Sequence, residues 1–143
     1  MAVILASSCL LGCECRYKGD GCKCDALIKL AESNTIIGVC PEQMGGLPTP
    51  RDPAERQGDK VSCAGKDVTK AYTKGAETAL YFAKLNHVDF AVMKAKSPSC
   101  GKGLIYDGTF TGNKIPGNGV TVELLNANGI PVFTEDELDQ LPL

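Results

Sequence analysis

Short runs of apolar residues alternate with amphipathic segments along the chain, a pattern typical of a protein that alternates strands and helices. Four runs are too short for a buried helix and have the length of a buried strand. These predicted strands lie at residues 2–7, 35–39, 88–94 and 130–133. Apolar positions at helical spacing also predict three helices, at residues 26–32, 68–85 and 120–127. Asp25 and Asp67 are the expected caps of the first two helices, and Asn118 or the glycines beside it are expected to open the third.

The segments between these elements are rich in glycine, proline and cysteine, so we expect irregular but ordered connections. Residues 7–24 predict a long loop, and residues 41–55 predict a stiff one because proline recurs there. Residues 105–119 have the turn chemistry of a hairpin or an ordered surface loop. The alternation of strands and helices predicts one α/β domain over residues 1–143, with three layers, a Rossmann-like arrangement and a mostly parallel sheet.

Composition fits one globular domain and narrows the partners that the chain can bind. Its 143 residues are enough to bury a sizeable core. A formal net charge of −2 provides no basic field for long nucleic acid, so we expect small partners. The single histidine, His87, excludes a three-histidine zinc site. No apolar run is long enough for a membrane helix, and the pattern does not separate a monomer from an oligomer.

Cysteine is the informative residue, because the chain has eight. The stretch AVILASSCLLGC resembles a secretion signal only superficially, since no Lys or Arg precedes its apolar run. We therefore expect a protein of the reducing cytoplasm. There, a set of cysteines indicates metal binding or catalysis before disulfides.

Three cysteines directly follow predicted strands. Cys9, Cys40 and Cys100 lie in loops stiffened by Gly or Pro after the first, second and third strands. Because ligands of open parallel sheets bind at the carboxyl ends of the strands, we expect these thiols to meet in one small volume. The alternative for each is a small buried residue of the core. Three thiolates indicate zinc or an iron–sulfur cluster, and a cluster held by only three would leave one iron open for Lewis-acid catalysis.

The other cysteines carry weaker signals. Cys13, Cys15, Cys22 and Cys24 form a CxC…CxC pattern, which fits a second metal site, a stand-in fourth ligand or a mobile reduced loop. We favour the loop. Cys63 lies beside charged residues and is expected to be an incidental loop thiol.

Five motifs spread along the chain carry a resemblance to a known family. They are SSCLLGCECRYKG, VCPEQMGGLPTPRDPAE, KDVTKAYTKGAETAL, KAKSPSCGKGLIYDGTFTGN and GNGVTVELLNANGIPVFTE. In these motifs the chain resembles the thiouracil desulfidase (TudS-like) family, long catalogued as domain of unknown function 523. The resemblance implies a single iron–sulfur desulfidase domain whose [4Fe-4S] cluster is bound by Cys9, Cys40 and Cys100. It also implies removal of sulfur from small thiolated pyrimidines, such as thiouracil or thiouridine derivatives, to give the oxo-pyrimidine and sulfide without net redox change.

The residue types near these cysteines suit such a reaction. A soft iron binds soft sulfur and polarises a C=S bond, which makes the ring carbon a better target for water. Glu42, two residues after Cys40, is the expected acid–base group of this hydrolytic step. The alternative for Glu42 is a loop carboxylate that caps a helix or pairs with Arg51. Ser97 is expected to assist this step through its hydroxyl group. The alternative is that this serine only forms the turn.

Residues that bind the substrate are predicted on the same loops. The candidates are Arg16, Tyr17, Lys94 and Ser99. Arginine and tyrosine can stack on or clamp a pyrimidine, lysine can orient a carbonyl or phosphate, and a serine hydroxyl can donate a hydrogen bond. For the lysine, the alternative is a solvated side chain. The helix start at residues 118–121 offers backbone N–H groups to a phosphate.

Two other functions also fit the sequence. One is a zinc or iron–sulfur binding module without catalysis, in which the CxC…CxC pattern is the metal site and the strand-end cysteines are core residues. The other is a sulfurtransferase that carries a persulfide on Cys100. The residues alone exclude neither of these two functions.

Overall fold

The computed structural model describes residues 1–143 and contains nine strands and four α-helices. The strands are β1 (Val3–Ser7), β2 (Thr35–Val39), β3 (Ala54–Gln57), β4 (Lys60–Cys63), β5 (Lys66–Asp67), β6 (Phe90–Met93), β7 (Leu104–Tyr106), β8 (Lys114–Pro116) and β9 (Val132–Thr134). The helices are α1 (Asp25–Lys29), α2 (Pro41–Met44), α3 (Thr69–Leu85) and α4 (Val120–Ala127). Short 3-10 segments lie at Ser8–Leu11, Leu30–Glu32 and Glu135–Gln140.

Four parallel strands form the main sheet in the order β2-β1-β6-β9. In its register, Ser7 at the end of β1 lies beside Val39 at the end of β2, and Ala6 lies beside Val92 of β6. The carboxyl ends of these strands therefore reach the same edge of the sheet. This topology confirms the predicted parallel α/β fold.

The core lies on both faces of this sheet because side chains alternate along each strand. On one face, Leu5 packs with residues of α3 and α4 such as Ala79 and Leu125. On the other face, Ile4 packs with a cluster that includes Leu27 of α1. A sheet covered on both faces confirms the three predicted layers and explains why its strands are continuous apolar runs.

The structure corrects three local predictions. Val68, not Asp67, is the N-cap of α3, although Oδ1 of Asp67 accepts the backbone N–H of Thr69 at 2.8 Å. Asp25 does not cap α1, because Cys24 occupies the N-cap position and Asp25 is the first helical residue. Residues 41–55, predicted to be irregular, begin with helix α2 and end in strand β3. The prediction failed there because α2 has a single turn and the meander β3–β5 has few apolar side chains, so neither produces a hydrophobic period.

Two small sheets cover the carboxyl edge of the main sheet. Strands β3–β5 form an antiparallel meander, and β7 pairs with β8 in the predicted hairpin. Glu55 joins the two, because its Oε1 accepts the backbone N–H of Gly108 at 3.0 Å and of Phe110 at 3.1 Å. No helix is long and apolar enough to cross a membrane.

Two glycines let α2 pack directly on α3. A Cβ atom at Gly45 would overlap the carbonyl oxygen of Ala71, and one at Gly75 would overlap the carbonyl oxygen of Pro41. Helix backbones approach this closely only where side chains are missing. The position of α2, and of Cys40 just before it, therefore depends on these glycines.

Gly75→Ala is expected to destabilise the fold, because its methyl group would overlap the backbone of α2. We expect the free energy of unfolding to fall by about 1–3 kcal/mol, the usual cost of overpacking. Urea denaturation measures the change. Lys74→Ala, at an exposed position of the same helix, is the control and should change stability by less than about 0.5 kcal/mol. A stabilised Gly75→Ala, as at an open helical glycine, would contradict the close packing.

Candidate active site

One cavity of about 470 Å³ opens at the carboxyl edge of the main sheet. This volume lies within the usual range for small-molecule sites. Its walls come from the ends of β1, β2 and β6 and from the two small sheets. Cys9, Cys40 and Cys100 all line it, so the structure brings the three strand-end cysteines together as predicted.

A different local structure positions each of these thiols. Cys9 lies in the 3-10 segment that follows β1 directly. Cys40 is the N-cap of α2, one residue after β2. Cys100 lies in a turn built by Ser97, whose Oγ accepts the backbone N–H of Cys100 at 3.0 Å and of Ser99 at 3.1 Å. The position of each thiol is therefore set by a hydrogen-bonded turn or a short helical segment next to a strand end.

The long loop after β1 brings a fourth cysteine into the cavity. Cys15 is only 4% exposed and lines the same wall as Cys9 and Cys40. Its carbonyl oxygen accepts a hydrogen bond from Nη2 of Arg51 at 3.0 Å. The loop at this position is therefore anchored, not mobile as predicted. Its CxC spacing gave no signal that distinguished Cys15 from Cys13.

The arrangement of the cysteines in the cavity distinguishes between zinc and an iron–sulfur cluster, the two metal groups that the sequence indicated. No three Cys, His, Asp or Glu side chains lie close enough together to hold a single metal ion. Three thiols spread over the walls of one cavity instead match a group whose separate irons each take one thiolate. These residues therefore fit an iron–sulfur cluster better than zinc.

Cys40 and Cys100 are held in the thiol form in the absence of a bound cation. Burial raises the pKa of Cys100 to about 12, and the adjacent Cys15 thiol together with burial raises the pKa of Cys40 far above its ordinary value. Cysteine ligates metals as the thiolate. A bound metal group would therefore have to stabilise the thiolate form of these ligands.

Glu42 lines the cavity from the single turn of α2. Its Oε1 accepts a hydrogen bond from the hydroxyl of Tyr72, and its Oε2 accepts one from Nη2 of Arg51 at 3.1 Å. The ion pair with Arg51, which the sequence suggested as an alternative role for Glu42, is present. The carboxylate nevertheless faces the cavity. Burial and the nearby carboxylate raise the pKa of Tyr72, which therefore acts as a hydrogen-bond donor.

Arg51 ties three segments together beneath Glu42. Its side chain is 5% exposed. Besides Glu42 and the carbonyl of Cys15, its guanidinium donates to the carbonyl of Pro48 at 3.1 Å and to Oγ1 of Thr49 at 3.0 Å. Sequence analysis missed the supporting role of Tyr72, because a tyrosine at helical spacing is indistinguishable from an ordinary core residue.

The other predicted site residues divide into those that face the cavity and one that does not. Ser97 and Lys94 line it, but Nζ of Lys94 is paired with Glu135 at 2.8 Å. Burial alone would lower the pKa of Lys94, and the Glu135 carboxylate outweighs it, so the pKa is raised and the ammonium stays charged. Ser99 is fully buried, and its hydroxyl is shared with Thr121 in the core. We therefore drop Ser99 as a substrate-binding residue.

Aromatic and cationic side chains form the outer wall. Arg16 and Tyr17 line the cavity as predicted, with the Arg16 guanidinium 5.8 Å from the Tyr17 ring centre. Tyr106 of the hairpin also lines it and was missed by the sequence analysis. The predicted phosphate site at residues 118–121 is wrong, because the N–H of Val120 is already bonded to Pro98 and that of Thr121 to Ser99.

The remaining cysteines lie outside the cavity wall. They are Cys13, Cys22, Cys24 and Cys63. Cys13 is exposed and the others are partly exposed. Backbone bonds from Cys22 to Cys9 and from Cys24 to Leu10 hold this part of the loop, so it is ordered despite its composition. The CxC…CxC pattern does not gather its thiols around a single metal ion.

Comparison with known proteins agrees along nearly the whole chain. A family model described as 2-thiouracil desulfurase matches residues 4–137. An uncharacterized protein of Bacillus subtilis (strain 168), YbbK, is 42% identical over 150 residues, covering 97% of this chain and 99% of the relative.

A solved structure agrees equally well. It is described as the [4Fe-4S]-dependent thiouracil desulfidase TudS and superposes with a TM-score of 0.94 at 44% identity, covering 99% of this chain and 95% of that one. The family predicted from the five sequence motifs is thereby confirmed. This chain belongs to the 2-thiouracil desulfurase family.

Proposed function

We propose that this protein is a [4Fe-4S]-dependent desulfidase that replaces the sulfur of a thiolated pyrimidine with oxygen from water. The observation that carries the proposal is the convergence of three strand-end thiols, two of them buried, and a tethered carboxylate on one cavity. The similar solved structure, described as a [4Fe-4S]-dependent thiouracil desulfidase, supports both the cofactor and the class of substrate.

Cys9, Cys40 and Cys100 would hold the cluster through one thiolate each. When bound, the cluster supplies an iron with a free coordination position, a soft Lewis acid suited to a thiocarbonyl sulfur. Ser97 fixes the Cys100 turn through two backbone hydrogen bonds. Its hydroxyl proton is not used by those bonds, so it can donate to the substrate.

Glu42 acts as the acid–base group in this proposal. It takes a proton from the water that adds to the thiocarbonyl carbon and returns it to the departing sulfur as the C–S bond breaks. The proton of the new hydroxyl group is lost as the carbonyl forms and becomes the second proton of hydrogen sulfide. The sum is thiocarbonyl plus water giving carbonyl plus hydrogen sulfide, so atoms balance without electron transfer. Tyr72 and Arg51 each use one acceptor position of the carboxylate, which leaves a second position on each oxygen for water.

The outer wall would bind the pyrimidine itself. Tyr17 offers a ring face for stacking, and Arg16 lies beside it as a cation. Lys94 keeps its charge in the wall through its pair with Glu135, which offsets its field, so it contributes a hydrogen-bond donor to the site. The cavity volume and the net charge of −2 favour a small molecule over long nucleic acid.

The two rival functions have less support from the geometry. A persulfide carrier needs a reactive thiolate, whereas burial raises the pKa of Cys100. A metal-binding module based on the CxC…CxC pattern needs those thiols to face one site, whereas Cys13 is exposed and Cys13, Cys22 and Cys24 all lie outside the cavity. Both rivals remain outcomes of the experiments below.

Cys9→Ala, Cys40→Ala and Cys100→Ala are each expected to abolish cluster binding, because each removes one of three ligands. After anaerobic reconstitution, the wild-type chain should contain about four irons and show a broad visible band, and the variants should lose both. Thiouracil added to the wild type should release sulfide. Cys24→Ala, outside the cavity, is the control and should keep its iron. Zinc without iron in the reconstituted wild type would overturn the proposal, and turnover by metal-free protein would favour the sulfurtransferase.

Glu42→Gln is expected to lower kcat by about 10²–10⁴-fold, since the amide keeps the shape of the side chain but accepts no proton. Iron content should equal that of the wild type, because the carboxylate is not a proposed ligand. Steady-state sulfide release measures the rate. Glu77→Gln, on the exposed face of α3, is the matched control. Full activity in Glu42→Gln would remove Glu42 from the mechanism.

A further inference from the structure

Glu55 is a second carboxylate of the cavity wall, and the proposed reaction does not use it. It lies on β3 and is partly buried, and Glu42 is the only other acidic residue that lines the cavity. Glu42 forms an ion pair with Arg51, whereas no lysine or arginine forms an ion pair with Glu55. The cavity wall therefore holds one carboxylate whose charge the fold does not neutralise.

The two oxygens of the Glu55 carboxylate have different surroundings. Oε1 accepts the backbone N–H of Gly108 at 3.0 Å and of Phe110 at 3.1 Å, which uses both of its acceptor positions. Oε2 accepts no hydrogen bond from the chain, and it is not among the buried polar atoms that lack a partner, so it is accessible. The two bonds to the hairpin fix the carboxylate and leave one oxygen free to accept a hydrogen bond from a ligand.

The strand that carries Glu55 belongs to a small sheet that covers the cavity. Cys9, Cys40 and Cys100 lie on the opposite side, at the strand ends of the main sheet. A pyrimidine whose sulfur is directed to these cysteines would present its opposite edge to the cover. When the sulfur is on C4, the atom across the ring is N1, which carries a proton in the free base and a sugar in the nucleoside. An N–H and a sugar hydroxyl are both hydrogen-bond donors.

We propose that Glu55 determines substrate specificity by accepting a hydrogen bond, through Oε2, from a donor on the edge of the pyrimidine opposite the thiocarbonyl group. The inference rests on the proposed function, because that function directs the sulfur to the three cysteines. A charged acceptor makes a stronger hydrogen bond than a neutral one. A substrate without a donor on this edge leaves the carboxylate desolvated and unpaired, so the site rejects that substrate. Glu55 binds the substrate in this way and transfers no proton.

The test is Glu55→Gln, which changes the free oxygen and keeps the bonds to the hairpin. Two backbone N–H groups face the position of Oε1, so the amide oxygen of glutamine takes that position and its NH2 group replaces Oε2. Sulfide release is measured with 4-thiouracil, 4-thiouridine and 1-methyl-4-thiouracil. Of these three compounds, only the last has no donor on that edge.

We expect Glu55→Gln to lose activity only toward a substrate that has the donor. If the ring N–H is the donor, kcat/KM for 4-thiouracil should fall by about 10–100-fold, because two N–H groups then face each other. If a sugar hydroxyl is the donor, kcat/KM for 4-thiouridine should fall by about fivefold, since a hydroxyl can also accept from the amide. The value for 1-methyl-4-thiouracil should not fall.

Binding of the oxygen-containing products gives a readout that does not depend on turnover. Titration calorimetry with uracil, uridine and 1-methyluracil should show the same pattern of dissociation constants in Glu55→Gln. The wild type should bind 1-methyluracil more weakly than at least one of the other two, which tests the inference without any variant. Iron content and the free energy of unfolding should equal those of the wild type. Glu77→Gln, on the exposed face of α3, is the matched control and should match the wild type in every assay.

Two results would overturn the inference while leaving the proposed function intact. Unchanged kcat/KM and unchanged binding of all three compounds in Glu55→Gln would make Glu55 only a tether of the hairpin. An equal loss for all three compounds would show that the substitution disturbs the whole cavity. A wild-type chain that contains iron but releases no sulfide would instead overturn the proposed function, and the two failures are therefore separate.

Discussion

Parallel pairing of β1, β2 and β6 is the constraint on which the site depends. Parallel strands must be joined by crossovers, so residues that are far apart in the chain finish at the same edge of the sheet. The register that sets Ser7 beside Val39 places Cys9 and Cys40 just beyond two paired ends. Cys100 reaches the same edge from β6 through a longer turn. A slip of this register would move the thiols apart and empty the cavity of its donor set.

A buried arginine joins several of the loops beyond that edge. Arg51 joins Glu42, the carbonyl of Cys15 and the turn at Pro48 through one guanidinium. Burying such a charge costs desolvation, and its Nε is buried without a hydrogen-bond partner. A fold optimised for stability alone would not keep this arrangement. A site that must fix a carboxylate within reach of a substrate benefits from it, because a preorganised group does not reorganise during the reaction.

The cavity separates two kinds of chemistry. Its floor, at the strand ends, is lined by soft sulfur donors, and its flank carries the hard oxygen donors of Glu42 and Ser97. Soft donors suit iron and the sulfur of a thiocarbonyl, and a carboxylate suits proton transfer to and from water. Desulfuration needs both at once, since the C–S bond must be polarised while water is deprotonated. The small sheets, joined through Glu55, close this space from the outside.

The apolar pattern was sufficient to predict the parallel α/β architecture and the three strand-end cysteines, because buried parallel strands are continuous apolar runs and their carboxyl ends must converge. The five motifs were sufficient to predict the family. The sequence also selected Glu42, through its distance of two residues from Cys40. It did not predict α2 or the β3–β5 meander, whose stability comes from packing and not from a hydrophobic period. The folded chain alone shows that Cys15 is buried in the cavity wall while Cys13 is exposed, and that Ser99 belongs to the core. Burial of a loop residue depends on contacts with distant segments, here with Arg51 and the ends of two strands, and local spacing does not encode those contacts.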